Sequence, residues 1–218
     1  MTFSIVDPEQ GREAYQWHRG FSGASTNVYG RPWVDYEKMA ARGEVFGAVD
    51  ENDDYLGLCY FHFEKRKKAW ELGGMMVSQR ERGRGIGGVL GRVTMCHVLF
   101  EEDPFSRGEN IIARVIESNA DPRGMLETNV NEASAFKKDA GAMNVPAADL
   151  AGVTANAAGY VVGDQYNIDQ QVALLGLSEW CKGWESKLKD GTLADIRMRP
   201  GITTQVWERA FRAMMRGK

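Results

Sequence analysis

Residues 77–87 read Val-Ser-Gln-Arg-Glu-Arg-Gly-Arg-Gly-Ile-Gly, and no other stretch of the chain is as informative. It lies between an apolar run typical of a β-strand and a run with helical spacing. Gly83, Gly85 and Gly87 allow a sharp turn in which backbone N–H groups can face a ligand. The helix that begins near Ile86 adds a partial positive charge at its N-terminus. The stretch therefore predicts a phosphate-binding turn.

Three arginines, Arg80, Arg82 and Arg84, bring positive charge to the same turn. Arginine forms forked hydrogen bonds with phosphate oxygens, which suits a pyrophosphate ligand. The glycine spacing does not complete a G-x-G-x-x-G pattern with a later acidic residue, and no G-x-x-x-x-G-K-[ST] occurs in the chain. The turn therefore fits neither a dinucleotide-binding fingerprint nor a P-loop.

The pattern Arg80-x-x-Gly83-x-Gly85, followed by Ile86-Gly87, resembles motif A of the GCN5-related N-acetyltransferase (GNAT) superfamily. In that family this turn binds the pyrophosphate of acetyl-CoA, so the resemblance implies acetyl-CoA as the cosubstrate. It implies the following cofactor-binding residues: Met75, Met76 and Val77 through their backbone, Gln79, Arg80, Arg82, Gly83, Arg84, Gly85, Ile86 and Gly87 in the turn, and Ser118 and Asn119 after the next strand.

The order of predicted elements agrees with that motif. Hydrophobic periodicity and turn residues predict the order β-α-α-β-β-β-α-β, with a helix from Pro8 to about His18 and a second helix that Pro32 opens. The fold class is thus α/β: a GNAT-like fold with a mixed, mostly antiparallel central sheet flanked by helices, plus a C-terminal helical extension. We expect the acetyltransferase core in residues 1–145. Residues 146–218 would form an extension packed on that core, covering the acceptor cleft or making a dimer contact.

The composition is that of a soluble globular protein, with 43% hydrophobic and 26% charged residues. No apolar run approaches the roughly 20 residues that a membrane span needs, and no secretory signal is visible, so we expect a cytoplasmic protein without membrane contact. The net charge of −3 gives no broad attraction to nucleic acid, so we expect no nucleic-acid partner, and we expect the basic run at residues 65–68 at a hairpin tip. The three cysteines lack a C-x-x-C pattern, which predicts reduced core thiols.

The candidate catalytic residues lie in two neighbouring predicted strands. Glu71 is a charged residue between Trp70 and Leu72, and its strand position is similar to that of the glutamate base in the histone acetyltransferase branch of the family. It could instead face solvent or pair with the basic turn, and Glu117 is a weaker rival. His62 is a candidate proton relay or a packed sheet histidine.

The other two histidines have no predicted catalytic role. His97 is expected in the core and His18 at an exposed helix end, and no pair of histidines has metal-ligand spacing, so no metal is predicted. Gly73 and Gly74 in mid-strand predict a bulge or a close backbone approach.

The match to the family after the fifth strand is ambiguous. The family usually continues with an Asn, a short helix and a Tyr that acts as general acid. Ser118-Asn119 is one candidate for that motif, and residues 131–142 are another, in which Phe136 stands near the usual Tyr. The general acid is therefore not assigned.

The resemblance implies an N-acetyltransferase that transfers the acetyl group to a primary amine, of a small molecule or a protein, by direct attack. In this family the first interhelical loop helps to wall the acceptor pocket, and here that loop is surrounded by the aromatic residues Trp17, Phe21, Tyr29 and Trp33. The alternatives are an acyl-CoA-binding protein without turnover and, ranked last, an acyltransferase that modifies nucleic acid. A dimer contact of the C-terminal extension would make the protein a homodimer.

Overall fold

The computed structural model describes residues 1–24, 30–117, 119, 126, 129–130, 133–146, 155–189 and 195–217. The bounds of ten strands and five α-helices are described there, together with 3-10 turns at Pro8–Gln10 and Gln79–Glu81. The strands are β1 (Thr2–Ile5), β2 (Val45–Val49), β3 (Tyr55–Glu64), β4 (Ala69–Val77), β5 (Asn110–Ile116), β6 (Asn129–Val130), β7 (Ala133–Ser134), β8 (Phe136–Pro146), β9 (Tyr160–Ile168) and β10 (Asp195–Arg197). The helices are α1 (Gly11–Ala24), α2 (Trp33–Ala41), α3 (Ile86–Glu101), α4 (Gln170–Lys189) and α5 (Thr204–Arg216).

Eight of the strands form one sheet in the order β10-β1-β2-β3-β4-β5-β9-β8. The pairs β1–β10 and β4–β5 are parallel, and the other neighbours are antiparallel. The predicted order β-α-α-β-β-β-α-β is confirmed from β1 to β5. The basic run at residues 65–68 forms the exposed turn between β3 and β4, as predicted.

Local sequence signals account for the first helices. The Asp7 side chain accepts a hydrogen bond from the backbone N–H of Glu9, and Pro8 opens a 3-10 turn that leads into α1. The predicted end of this helix near His18 is wrong, because α1 continues to Ala24. After α2, Gly43 adopts φ +69°, the left-handed conformation that commonly ends a helix.

Two apolar clusters cover the two faces of the sheet. On one face α3, α4 and α5 share a single core, in which Leu90, Trp184 and Trp207 are buried. On the other face α1 and α2 pack over β2–β4, around Tyr36 and Tyr60. The three cysteines are free and buried, as predicted. None of the helices in the described ranges is long and apolar enough to cross a membrane.

The second half of the chain contributes strands as well as helices. β9 lies between β5 and β8, and it pairs with both of them. Gly163 permits this because a Cβ atom there would lie 2.2 Å from the carbonyl oxygen of Val115. The division expected at residue 145 therefore does not follow the sheet, since β8 crosses that position and β9 comes after it.

Candidate active site

Strands β4 and β5 pair only over the first part of their length. Their register runs from Ala69 beside Asn110 to Leu72 beside Ala113. Beyond that point, Arg114 and the rest of β5 pair with β9, and Gly73, Met76 and Val77 of β4 pair with β3. Within the described part of the chain, the backbone of β4 from Gly73 to Val77 thus has a strand neighbour on one side only. An extended ligand could pair with this open edge as a strand would.

A β-bulge lies at the start of the open edge. Leu58 pairs with Met76 and Tyr60 pairs with Gly73, so one residue of β3 faces two residues of β4. Gly74 adopts φ +56°, and a Cβ atom there would lie 2.0 Å from a ring carbon of Tyr60. The bulge predicted from the two glycines is confirmed. It bends β4 at the point where β5 leaves it.

The glycine turn leads from the open edge of β4 into α3. Gly83 and Gly85 have φ values of +80° and +77°, and Gly85 is the residue that precedes the helix. The N–H of Val89 donates to the carbonyl of Gly85 at 3.1 Å, so the N–H groups of Ile86 and the next two residues precede the first bond of the helix.

The side chains around this turn leave its surface accessible. Arg80, Arg82, Gly83, Arg84 and Gly85 are exposed, and Arg84 forms an ion pair with Glu81. The first turn of α3 packs closely against β4, since a Cβ atom at Gly87 would lie 3.4 Å from Val77. Backbone donors, positive charge and the open strand edge therefore meet at one place.

The structure decides one of the two alternatives after β5. Phe136 begins β8 and pairs with Ile168, so residues 136–142 form a strand and not the short helix of the family motif. That interpretation is wrong. Asn119 follows β5, and its backbone N–H donates to the carbonyl of Ile116 at 2.9 Å. Ser118 and Tyr29 lie outside the described residues.

A charged cluster occupies the face of β3–β5 that α1 and α2 cover. His62 and Glu71 are directly paired across β3 and β4. Arg114 of β5 donates from Nη1 to Oε2 of Glu71 at 3.0 Å and from Nη2 to Oε2 of Glu64 at 2.7 Å. Nη2 of Arg31 lies 3.2 Å from Nδ1 of His62, and Nε2 of His62 lies 3.9 Å from Oε2 of Glu71.

Burial controls the protonation of this cluster. The side chain of Glu71 is 8% exposed, and this burial raises the pKa of its carboxyl group, which the Arg114 guanidinium opposes. Burial and the nearby Arg31 guanidinium lower the pKa of His62 to about 4. At neutral pH, therefore, His62 is an uncharged imidazole beside the buried carboxyl group of Glu71. The hypothesis that Glu71 faces solvent is wrong.

The remaining histidines are both buried. His97 lies in the core with an edge-to-face contact to Phe46, as predicted. The prediction for His18 is wrong: it is fully buried, because α1 extends beyond it and turns it toward Tyr36 and Tyr60. Among the residues that the structure describes, no three His, Cys, Asp or Glu side chains are grouped to hold a metal ion.

Comparison with solved structures decides the fold class. A spermidine N-acetyltransferase, SpeG, of Vibrio cholerae superposes with a TM-score of 0.52 at 11% identity, over 80% of this chain and 98% of that chain. A proposed acetyltransferase of Acinetobacter baylyi superposes with a TM-score of 0.52 at 13% identity, over 76% of this chain and 89% of that chain. The chain has the GNAT fold.

No protein-family model and no curated protein matches the sequence. The GNAT fold is therefore established by structure alone. Within it, the bulge, the open edge of β4 and the glycine turn follow one another between residues 73 and 87. Sequence reasoning located the turn, the bulge and Glu71. It missed Arg31, Glu64 and Arg114, because their side chains meet Glu71 or His62 only through strand pairing and the packing of the segment before α2.

Proposed function

We propose that the protein is an N-acetyltransferase that transfers the acetyl group of acetyl-CoA to a primary amine. The observation that carries this proposal is the junction of the open β4 edge with the glycine turn. The turn, from Gln79 to Gly87, would bind the pyrophosphate through backbone N–H groups and arginines. The backbone of Met75, Met76 and Val77 would pair with the extended arm of the cofactor.

The chemistry requires a base near the parted strands. The acceptor arrives as an ammonium group and must lose a proton before its nitrogen can attack the thioester carbonyl carbon. Glu71 is the proposed base, since it is a buried carboxylate on β4 close to the place where β5 leaves. The new C–N bond forms, the C–S bond breaks, the nitrogen loses its second proton, and the CoA thiolate takes up a proton.

The acceptor would be a small amine or a protein amine. The Vibrio cholerae protein of the same fold is named for spermidine, which is a small amine. A cytoplasmic location, the absence of nucleic-acid partners and a homodimer stay predictions, as do the roles of Ser118 and Asn119.

A second candidate is an acyl-CoA-binding protein without turnover. The ion pair between Glu71 and Arg114 favours it, because a carboxylate held by a guanidinium is a weaker base than one that burial alone affects. Both candidates require acyl-CoA binding at the glycine turn, and they differ in whether the bound acetyl group is transferred.

Calorimetric titration with acetyl-CoA tests the shared requirement. The double variant Arg82→Ala, Gly85→Ala should weaken binding at least about tenfold, because it removes a charged donor and strains a left-handed turn. The matched control is Arg107→Ala, Gly108→Ala, an exposed pair beyond the other end of α3 in which Gly108 has φ +66°. Equal losses in both variants, or no binding by the folded wild type, would refute the proposal. A thiol-release screen over amines and peptides then identifies the acceptor.

A further inference from the structure

The two carboxylate oxygens of Glu71 have different surroundings. Both described contacts of the carboxylate, from Arg114 at 3.0 Å and from His62 at 3.9 Å, reach the same oxygen, Oε2. No donor among the described residues bonds to Oε1, and Oε1 is not among the fully buried atoms that lack a partner. Oε1 is therefore the oxygen that no described side chain engages. The described residues hold the carboxyl group through Oε2 alone.

The contact between Arg31 and His62 fixes the tautomer of the imidazole. A guanidinium has donors only, so Nδ1 of His62 must accept from Nη2 of Arg31 at 3.2 Å. A neutral imidazole that accepts at Nδ1 carries its hydrogen on Nε2. That N–H faces Oε2 of Glu71, at a distance too long for a hydrogen bond but short enough for a favourable electrostatic contact.

Arg31 itself is held in place by α1 and β3. Its backbone N–H donates to Nε2 of His18 at 3.4 Å, and its guanidinium lies 4.7 Å from the centre of the Tyr60 ring. Because Nε2 of His18 accepts, this histidine must carry its hydrogen on Nδ1. The main chain and the side chain of one residue thus impose opposite tautomers on two histidines.

We propose that His62 is a positioning residue, locked as the neutral Nε2–H tautomer by Arg31, which together with Arg114 holds Oε2 of Glu71 and leaves Oε1 to take the proton of the acceptor amine. This inference rests on the proposed function for the role of Oε1. It replaces the proton-relay hypothesis for His62, because Nε2 already carries a hydrogen and Nδ1 is engaged by a group that donates only.

The charged neighbours of this pair come from four parts of the chain. Those that act on His62 or Glu71 are Arg31 before α2, Arg42 after α2, Glu64 and Lys67 at the end of β3 and in its turn, and Arg114 on β5. Most of these charges are positive, and together with burial they keep the imidazole uncharged at neutral pH. Near neutral pH the charge of His62 is therefore fixed, and its tautomer is the property to be measured.

Nuclear magnetic resonance of histidine-¹⁵N-labelled protein tests the proposal. The chain has three histidines, and the substitution His62→Gln assigns the signal of interest. At pH 7 we expect His62 in the pure Nε2–H form and His18 in the pure Nδ1–H form. In Arg31→Met, His62 should lose its single tautomer, whereas His18 should keep its own because the backbone N–H remains. Arg42→Met is the matched control, since Arg42 is also near His62 but donates to Glu44.

Two results would overturn the inference. One is the Nδ1–H form of His62 in the wild type, read from the signal that His62→Gln assigns. The other is a His62 tautomer that Arg31→Met leaves unchanged while His18 reports an intact fold. Titration of the same samples with acetyl-CoA keeps the two proposals separate: absence of binding refutes the acyltransferase, and the tautomers are still observed.

Discussion

Replacing Gly74 with alanine should destabilise the protein strongly, for two separable reasons. The left-handed conformation at φ +56° costs an L-residue about 1–2 kcal/mol. The new Cβ would also lie 2.0 Å from Cε1 of Tyr60, a side chain that is only 2% exposed. Forcing a methyl group into such a packed site costs about 1–3 kcal/mol more. We therefore expect the free energy of unfolding to fall by about 2–5 kcal/mol.

Gly83 provides the matched control for this prediction. Its φ of +80° imposes the same kind of backbone strain, but nothing lies within 4 Å of a Cβ atom there. Gly83→Ala should therefore cost only about 1–2 kcal/mol. In a Tyr60→Ala background, the cost of Gly74→Ala should fall to that same value, because the ring is gone.

Equilibrium unfolding in urea measures each term. The four proteins of the Gly74 and Tyr60 cycle give the coupling energy, which we expect to be about 1–3 kcal/mol. A coupling energy near zero would refute the reasoning, since it would mean that the ring does not occupy the space beside the bulge. Equal costs at Gly74 and Gly83 would refute it as well.

Three further predictions concern catalysis, pH and the core. Glu71→Gln should lower the rate of acetyl transfer by about 10²–10⁴ and leave acetyl-CoA affinity unchanged, as measured by thiol release and calorimetry. Burial lowers the pKa of His18, His62 and His97 to about 4 from 6.5, so the unfolded chain binds more protons than the folded chain in that window. The free energy of unfolding should therefore decrease as the pH is lowered from 6.5 to 4, by up to about 3 kcal/mol for each histidine. Urea unfolding at several pH values measures this decrease. Trp207→Ala should cost about 3–5 kcal/mol in urea unfolding, because its ring is buried where α5 meets the core.

Each of these predictions has an outcome that contradicts it. An undiminished rate in Glu71→Gln would mean that this carboxylate is not the base. If the free energy of unfolding does not change between pH 6.5 and 4, the histidines accept protons in the folded state and the prediction is wrong. The raised pKa of Glu71 changes the stability in the opposite direction, but it involves one proton against three. Val34→Ala is the control for the core, since Val34 is 56% exposed and should change stability by about 0.5 kcal/mol or less.

The parts of the fold that the sequence predicted are those with local causes. Asp7 and Pro8 begin a helix, Pro32 precedes the next helix, and the apolar run around Glu71 forms a strand, whatever the rest of the chain does. The glycine turn belongs to this class, because φ values near +80° select glycine at single positions such as Gly83. These features were predictable from a few neighbouring residues.

The features that the sequence did not reveal depend on distant pairing. The sequence around Phe136 is compatible with a helix. Its strand conformation comes from the pairing of β8 with β9. His18 became buried because α1 lies against β3, and nothing in its immediate sequence signals that contact. Arg114 reaches Glu64 across 50 residues of sequence, so its role depends on the register of β3, β4 and β5. Register is set by the whole sheet and leaves no local pattern.

The pairing of β1 with β10 has a consequence for synthesis. Residues 2–5 cannot pair with residues 195–197 until the latter have left the ribosome. One edge of β1 therefore lacks its neighbouring strand while most of the chain is synthesised. At about 5–20 residues per second, that interval lasts on the order of 10–40 seconds. During it, β2 must hold β1 from the other side, and the unpaired edge is open to other chains. Nascent chains arrested before residue 195 should therefore be more prone to aggregation than the released protein.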